Sequence, residues 1–189
     1  MIGAVLAGGA GSRLGTGSKP AALLAGRPLV LYPLEALAPV CERLAVVCKA
    51  GTVLPELPAG IERWDEPDEP RHPLTGILHA LETAGAPVLV CAADMPFVTA
   101  DAARTLIEAA HAASGPAIVA TAGGRIQPTF GLYSPAAIEP LRAAPPNGAL
   151  SAAVESLEPR RVALPESMVT GVNTPDELAA AETLLAGRG

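Results

Sequence analysis

Short β-branched apolar runs alternate along this chain with segments whose apolar residues recur at helical spacing. The pattern predicts strands over residues 2–7, 44–48, 88–92, 116–121, 129–133 and 161–164. Between them it predicts helices over 28–39, 74–84, 99–113, 135–143, 149–157 and 174–186. Thr99, with Asp101 in the first turn, and Thr174, followed by Pro175, Asp176 and Glu177, mark two of the helix starts. Alternating β and α predicts an α/β fold: a mostly parallel sheet with helices on both faces. Such sheets bind ligands outside the carboxyl ends of their strands. That directs attention to residues 7–19, 48–51, 63–73 and 92–96. The Pro-rich, acidic stretch 55–73 reads as a long loop over that edge, and 144–148 as a second break. Neither separates two segments able to form cores of their own, and no internal repeat is present.

Composition sharpens the picture. A chain of 189 residues fits one domain, and half of it is hydrophobic while aromatics make up only 3%. The apolar content is therefore mostly Ala, Val and Leu, which suits helices packed on a buried sheet. A membrane span is not expected, because no stretch of about 18 uncharged apolar residues exists. The longest candidate, residues 21–40, is cut by Arg27, Pro28, Pro33 and Glu35. The apolar start lacks a basic segment before it, so it does not read as a signal peptide. With a net charge of -6 and no basic block, nucleic acid is not expected as the main partner. Cys41, Cys48 and Cys91 lie in apolar runs, which points to buried thiols in a reducing, cytoplasmic setting. His72, His79 and His111 form no zinc pattern and read as packing or surface residues. Of the 13 basic side chains only Lys19 and Lys49 are lysines.

One of those lysines closes the segment LAGGAGSRLGTGSK, residues 6–19. A strand running straight into Gly8, Gly9, Gly11 and Gly15 lets successive N–H groups turn inward as an anion-binding nest. Arg13 and Lys19 add positive charge for phosphate oxygens. The spacing matches neither a dinucleotide fingerprint nor a Walker A loop, where Gly-Lys-Ser/Thr is needed and Gly17-Ser18-Lys19-Pro20 stands instead. Asp94 ends the apolar run VLVCAAD and places a hard carboxylate at a strand's carboxyl edge, as Mg²⁺ held between protein and phosphate requires. Asp65 is less distinctive, since Glu62, Glu66, Asp68 and Glu69 surround it and a solvated acidic loop accounts for all five.

Taken together, the LAGGAGSRLG run, Lys19, the GRPL at 26–29, Asp65 ahead of Pro73-Leu74-Thr75-Gly76, CAADMP, QPTFGLY and VNTPDEL resemble the molybdenum-cofactor nucleotidyltransferases, the MobA-like family. The resemblance covers nearly the whole length. It implies a single-domain, Rossmann-like fold of the nucleotide-diphospho-sugar transferase kind, over residues 1–189. It implies GTP as donor, molybdopterin as acceptor, Mg²⁺ as cofactor and other molybdenum-cofactor biosynthesis proteins as partners. It further implies Leu6, Ala7, Gly8, Gly9, Lys19, Asp65 and Asp94 as nucleotide contacts, with Asp94 on the metal. Arg13, Lys19 and Asp94 are the expected catalytic groups. Asn173, in a turn before the last helix, and Gln127 are the expected acceptor contacts. The chain departs from the guanylyl-transferring members at Lys49, where Asn is common, and at Gly171, where they read another Asn. Three alternatives stay open: cytidylyl transfer to molybdopterin, transfer to another phosphorylated acceptor, and a nucleotide-binding module without activity.

Overall fold

A computed structural model describes residues 1–9, 18–112, 115–145 and 148–187. The chain begins with β1 (Ile2–Leu6), the two-residue strands β2 (Leu23–Leu24) and β3 (Arg27–Pro28), and helix α1 (Leu31–Leu37). It continues with β4 (Arg43–Lys49), β5 (Ile61–Glu66), α2 (Pro73–Ala84), β6 (Val88–Ala92) and α3 (Ala100–Ala112). A hairpin of β7 (Ala117–Ala122) and β8 (Arg125–Tyr133) follows, then α4 (Ile138–Arg142) and α5 (Leu150–Glu155). β9 (Arg160–Ala163), α6 (Glu166–Val169) and α7 (Pro175–Ala186) complete the described chain.

Seven strands form one sheet in the order β5-β4-β1-β6-β8-β7-β9. Every pairing is parallel except the two made by β8, which runs against β6 and β7. The sheet is thus mostly parallel, as the alternation predicts. Its central strands carry continuous apolar runs because both faces are covered. On one face Val5, Val46, Leu89 and Phe130 pack with Leu34 and Leu37 of α1 and Leu106 of α3. On the other, Ala4, Val47, Val90 and Tyr133 meet Ile77 and Leu81 of α2, Leu141 of α4 and Val154 of α5. Each large buried aliphatic side chain here contributes about 1.5–3 kcal/mol of transfer free energy.

The helix ends follow their sequence signals. Thr99 Oγ1 accepts from the Ala102 N–H at 3.2 Å. Thr174 and Glu177 cap each other's backbone at the start of α7. For α2 the cap is His72, whose Nδ1 accepts from the Leu74 N–H at 3.2 Å; Gly85 ends it with φ 59°.

The short elements β2, β3 and α6 stand outside the expected pattern, and two longer segments differ from it. Residues 61–66 form the edge strand β5, paired in parallel with β4, inside the stretch that reads as acidic loop. Its sequence, Ile-Glu-Arg-Trp-Asp-Glu, carries charge on both faces, with Arg63 and Asp65 exposed and Trp64 and Glu66 buried. β8 starts at Arg125, four residues early, and carries Pro128 at an irregularity where Val119 pairs with Gly131 but Ala120 pairs with Gln127. Among the described residues no helix is long and apolar enough to cross a membrane.

Candidate functional site

The chain leaves β1 toward β4 and β5, then returns to place β6 on the other side of β1. The reversal opens a crevice at the carboxyl ends of these strands. Leu6 is level with both Val47 and Ala92 in the register. Just beyond, the Ala7 N–H donates to the Val47 carbonyl at 2.7 Å and the Ala93 N–H to the Leu6 carbonyl at 2.9 Å. The backbone at the strand ends is thereby fixed on both sides. Above it lies a cavity of about 350 Å³, and Leu6, Ala7, Gly8 and Gly9 line it.

At the β6 end of this cavity stand Lys19, Asp94 and Asn173. They are 75 and 154 residues apart from Lys19 in sequence, yet Lys19 Nζ donates to Asp94 Oδ2 and, at 2.6 Å, to Asn173 Oδ1. The turn carrying Asn173 is held there by the Val172 N–H, which donates to the Asp94 carbonyl at 2.8 Å. The Lys19 and Asp94 side chains keep 17% and 20% of their surface, so the pair is partly open to the cavity. Gly171 borders both partners: a Cβ there would lie 3.3 Å from Asn173 Nδ2 and 3.6 Å from Asp94 Cγ.

A second lysine–carboxylate pair closes the β4–β5 end. Lys49 and Glu66 are the last residues of β4 and β5 and are register partners. Lys49 Nζ lies 3.4 Å from Glu66 Oε1, and the two side chains keep only 10% and 4% of their surface. Lys49 also donates to the Pro67 carbonyl and, at 3.5 Å, to that of Pro70. Glu66 Oε2 is buried with no hydrogen-bond partner among the described residues. Burial pushes the Glu66 carboxyl above its ordinary range, and Lys49 draws it part of the way back. Two glycines make the room. A Cβ at Gly8 would stand 2.1 Å from Oε1, and one at Gly76 3.1 Å from Oε2.

Of the residues singled out by sequence, Leu6, Ala7, Gly8, Gly9, Lys19, Asp94 and Asn173 all line this one cavity. Arg13 lies outside the described residues, as do Gly11 and Gly15. Asp65 is not among the lining residues; it is exposed, and its carboxylate accepts from Arg63 Nε at 2.8 Å. Gln127 is not brought to the lining either, whereas Thr129 is. Glu66, read from sequence as part of a solvated acidic loop, is buried instead, because it shares the inward face of β5 with Trp64. His72 both caps α2 and lines the cavity.

Asp94 Oδ1 has no hydrogen bond from any described residue, and no group of three or more His, Cys, Asp or Glu that could hold a metal occurs among them. A carboxylate oxygen at a strand end with no partner among the described residues fits an ion such as Mg²⁺ that takes its remaining ligands from phosphate and water. The thiols are poor nucleophiles here: burial raises Cys41 to about 11 and pushes Cys48 and Cys91 up as well.

Known proteins resemble this chain over nearly its whole length. Residues 3–162 match the MobA-like NTP transferase domain. A protein of Cereibacter sphaeroides named molybdenum cofactor guanylyltransferase is 38% identical, over 98% of this chain and 97% of its own. The crystal structure of molybdopterin-guanine dinucleotide biosynthesis protein A from Archaeoglobus fulgidus superposes with a TM-score of 0.77 at 23% identity, covering 99% of this chain and 100% of that one. A 2-C-methyl-D-erythritol 4-phosphate cytidylyltransferase from Thermus thermophilus shares the fold, with a TM-score of 0.71 at 20% identity over 98% of both chains. On the first two of these findings, the chain belongs to the MobA-like NTP transferase family of nucleotidyltransferases.

Proposed function

We propose that residues 1–189 act as one cytoplasmic nucleotidyltransferase domain that transfers GMP from GTP to molybdopterin with Mg²⁺, releasing pyrophosphate. The observation that carries the reaction class is the Lys19–Asp94–Asn173 cluster facing the glycine backbone of the β1 end across one cavity. Donor and acceptor rest on the 38% identity to a protein named molybdenum cofactor guanylyltransferase.

In this reading the nucleotide lies along Leu6–Gly9, with its phosphates toward the Gly9 side, where a Cβ would stand 4.0 Å from Lys19 Cδ and backbone N–H groups can meet their oxygens. A phosphate oxygen of the acceptor forms a bond to the α-phosphorus while the bond to the bridging β-phosphate oxygen breaks and pyrophosphate leaves. No protein nucleophile is needed. Lys19 neutralises charge that builds on the α-phosphate, and Asn173 Oδ1 holds its ammonium in place. Arg13, in the glycine-rich loop, adds a second positive charge. Asp94 would hold Mg²⁺ together with phosphate oxygens, and the bound ion would supply charge neutralisation and alignment of the two anions. Asn173 and Gln127 remain the proposed acceptor contacts, and Asp65 a proposed nucleotide contact. Other molybdenum-cofactor biosynthesis proteins would deliver the acceptor.

A second reading, cytidylyl transfer to the same acceptor, draws on Lys49, which stands where guanylyl-transferring members commonly carry Asn. Pyrophosphate release with molybdopterin, Mg²⁺ and each of GTP, CTP, ATP and UTP separates the two. Release with GTP is expected. Release with CTP alone would replace the first reading by the second, and none with any of the four would refute both.

A further inference from the structure

The buried end of the cavity holds a group that the transfer chemistry does not use. Resting on the guanylyl-transfer reading, we propose that Glu66 reads the donor edge of guanine and that Lys49 is the positioning residue that holds its carboxylate. The first ground is the unpartnered oxygen. Glu66 Oε2 is buried with nothing donating to it among the described residues. An unsatisfied buried carboxylate oxygen is costly, and native proteins seldom keep one without a use. Yet the fold makes space for it on two sides, with Gly8 against Oε1 and Gly76 against Oε2.

The second ground is position. Glu66 ends β5 and Asp94 follows β6, three places away in the sheet order, so their backbones stand roughly 14 Å apart at the usual strand spacing, while the Glu66 carboxylate reaches over to Gly8 beyond β1. Both line the same cavity. A nucleotide whose phosphates meet Lys19 and Asp94 therefore extends its base toward β4 and β5. The terminal torsion of a glutamate is soft, so a small rotation turns either oxygen toward an incoming donor.

The third ground is chemical fit. Guanine carries two adjacent donors, the N1–H and the N2 amino group, which a carboxylate accepts side by side. Adenine and cytosine set their amino group beside a bare ring nitrogen, whose lone pair would face the carboxylate. Uracil offers one N–H between two carbonyls. Lys49 is not available to phosphate, because its ammonium is fixed on Glu66 and on the Pro67 and Pro70 carbonyls. Nor does Asp65 compete, since Arg63 holds it on the exposed side of β5.

Inosine triphosphate, which lacks only the N2 amino group, tests this directly. Calorimetric titration with Mg²⁺ should show wild-type protein binding GTP about tenfold or more tightly than inosine triphosphate, the worth of one hydrogen bond to a charged acceptor. Glu66→Gln should bring that ratio within about threefold, and Lys49→Met should lower it as well. Equal wild-type affinity for the two nucleotides would overturn the proposal whatever the variants do. So would an undiminished ratio in a folded Glu66→Gln protein, and in both cases guanylyl transfer itself would stand. Tighter binding of CTP than of GTP by the wild type would instead remove the reading on which the proposal rests.

Discussion

Both lysines of this chain sit in one cavity, each against a carboxylate, and the two pairs are built differently. Lys19–Asp94 is partly open, and Asp94 keeps an oxygen with no hydrogen bond from a described residue. Lys49–Glu66 is almost wholly enclosed and tied to two backbone carbonyls. An ion pair near water exchanges partners at little cost, whereas an enclosed one does not, because each charge left alone in the interior is expensive. The open pair therefore suits groups that must trade each other for phosphate and metal. The enclosed pair suits a fixed wall against which a ligand is measured.

The largest effect that would separate the two concerns stability. Lys49→Ala leaves the Glu66 carboxylate buried without its partner and should cost about 3–5 kcal/mol, a loss of roughly 10 °C in melting temperature. Lys19→Ala, at the more open pair, should cost less, about 1–2 kcal/mol. Denaturant or thermal melts of both variants check this, and equal losses would erase the distinction.

Turnover should reverse the ranking of the open pair. Lys19→Ala should lower kcat by about 10²-fold or more, as for removal of one contact to transition-state charge. Asp94→Asn should keep the fold and lose Mg²⁺-dependent turnover to a similar extent, since an amide is a poor ligand for a hard dication. Steady-state rates across a Mg²⁺ series give the answer, and a wild-type rate in Asp94→Asn would remove Asp94 from the metal.

The smallest effect is in pH dependence. The native Glu66 carboxyl lies above its ordinary value of 4.5, with burial the main cause and Lys49 the one opposing charge. Proton uptake then favours the native state, so this group's contribution is fully present below about 4.5 and is lost as pH rises through the native value. The melting temperature of wild type minus that of Glu66→Gln should therefore rise as pH falls from about 8 toward 4.5. A flat difference would place the carboxyl in an ordinary environment.

What the sequence revealed, and what it hid, follows the same division. The central strands were legible because residues buried on both faces read as apolar runs, and Asp94 was legible because it ends one of them. Lys19 was legible through the glycines before it. β5 was not, because this edge strand carries charge on both faces and lies within an acidic, Pro-rich stretch. Glu66 was hidden with it. Its burial depends on Gly8 and Gly76, which lie 58 residues before it and 10 after it in the chain. The Asn173 contact to Lys19 likewise depends on the loop pinned to the Asp94 carbonyl, which no local pattern encodes.

The claim that one nucleotide spans both pairs is tested most directly by a crystal structure of the chain with GTP and Mg²⁺. The account predicts the guanine N1–H and N2 amino group within hydrogen-bond distance of the Glu66 carboxylate, with the triphosphate reaching Lys19 and Asp94 at the other end. A base seated against Asp65 or beside Asn173, with Glu66 still unpartnered, would contradict it.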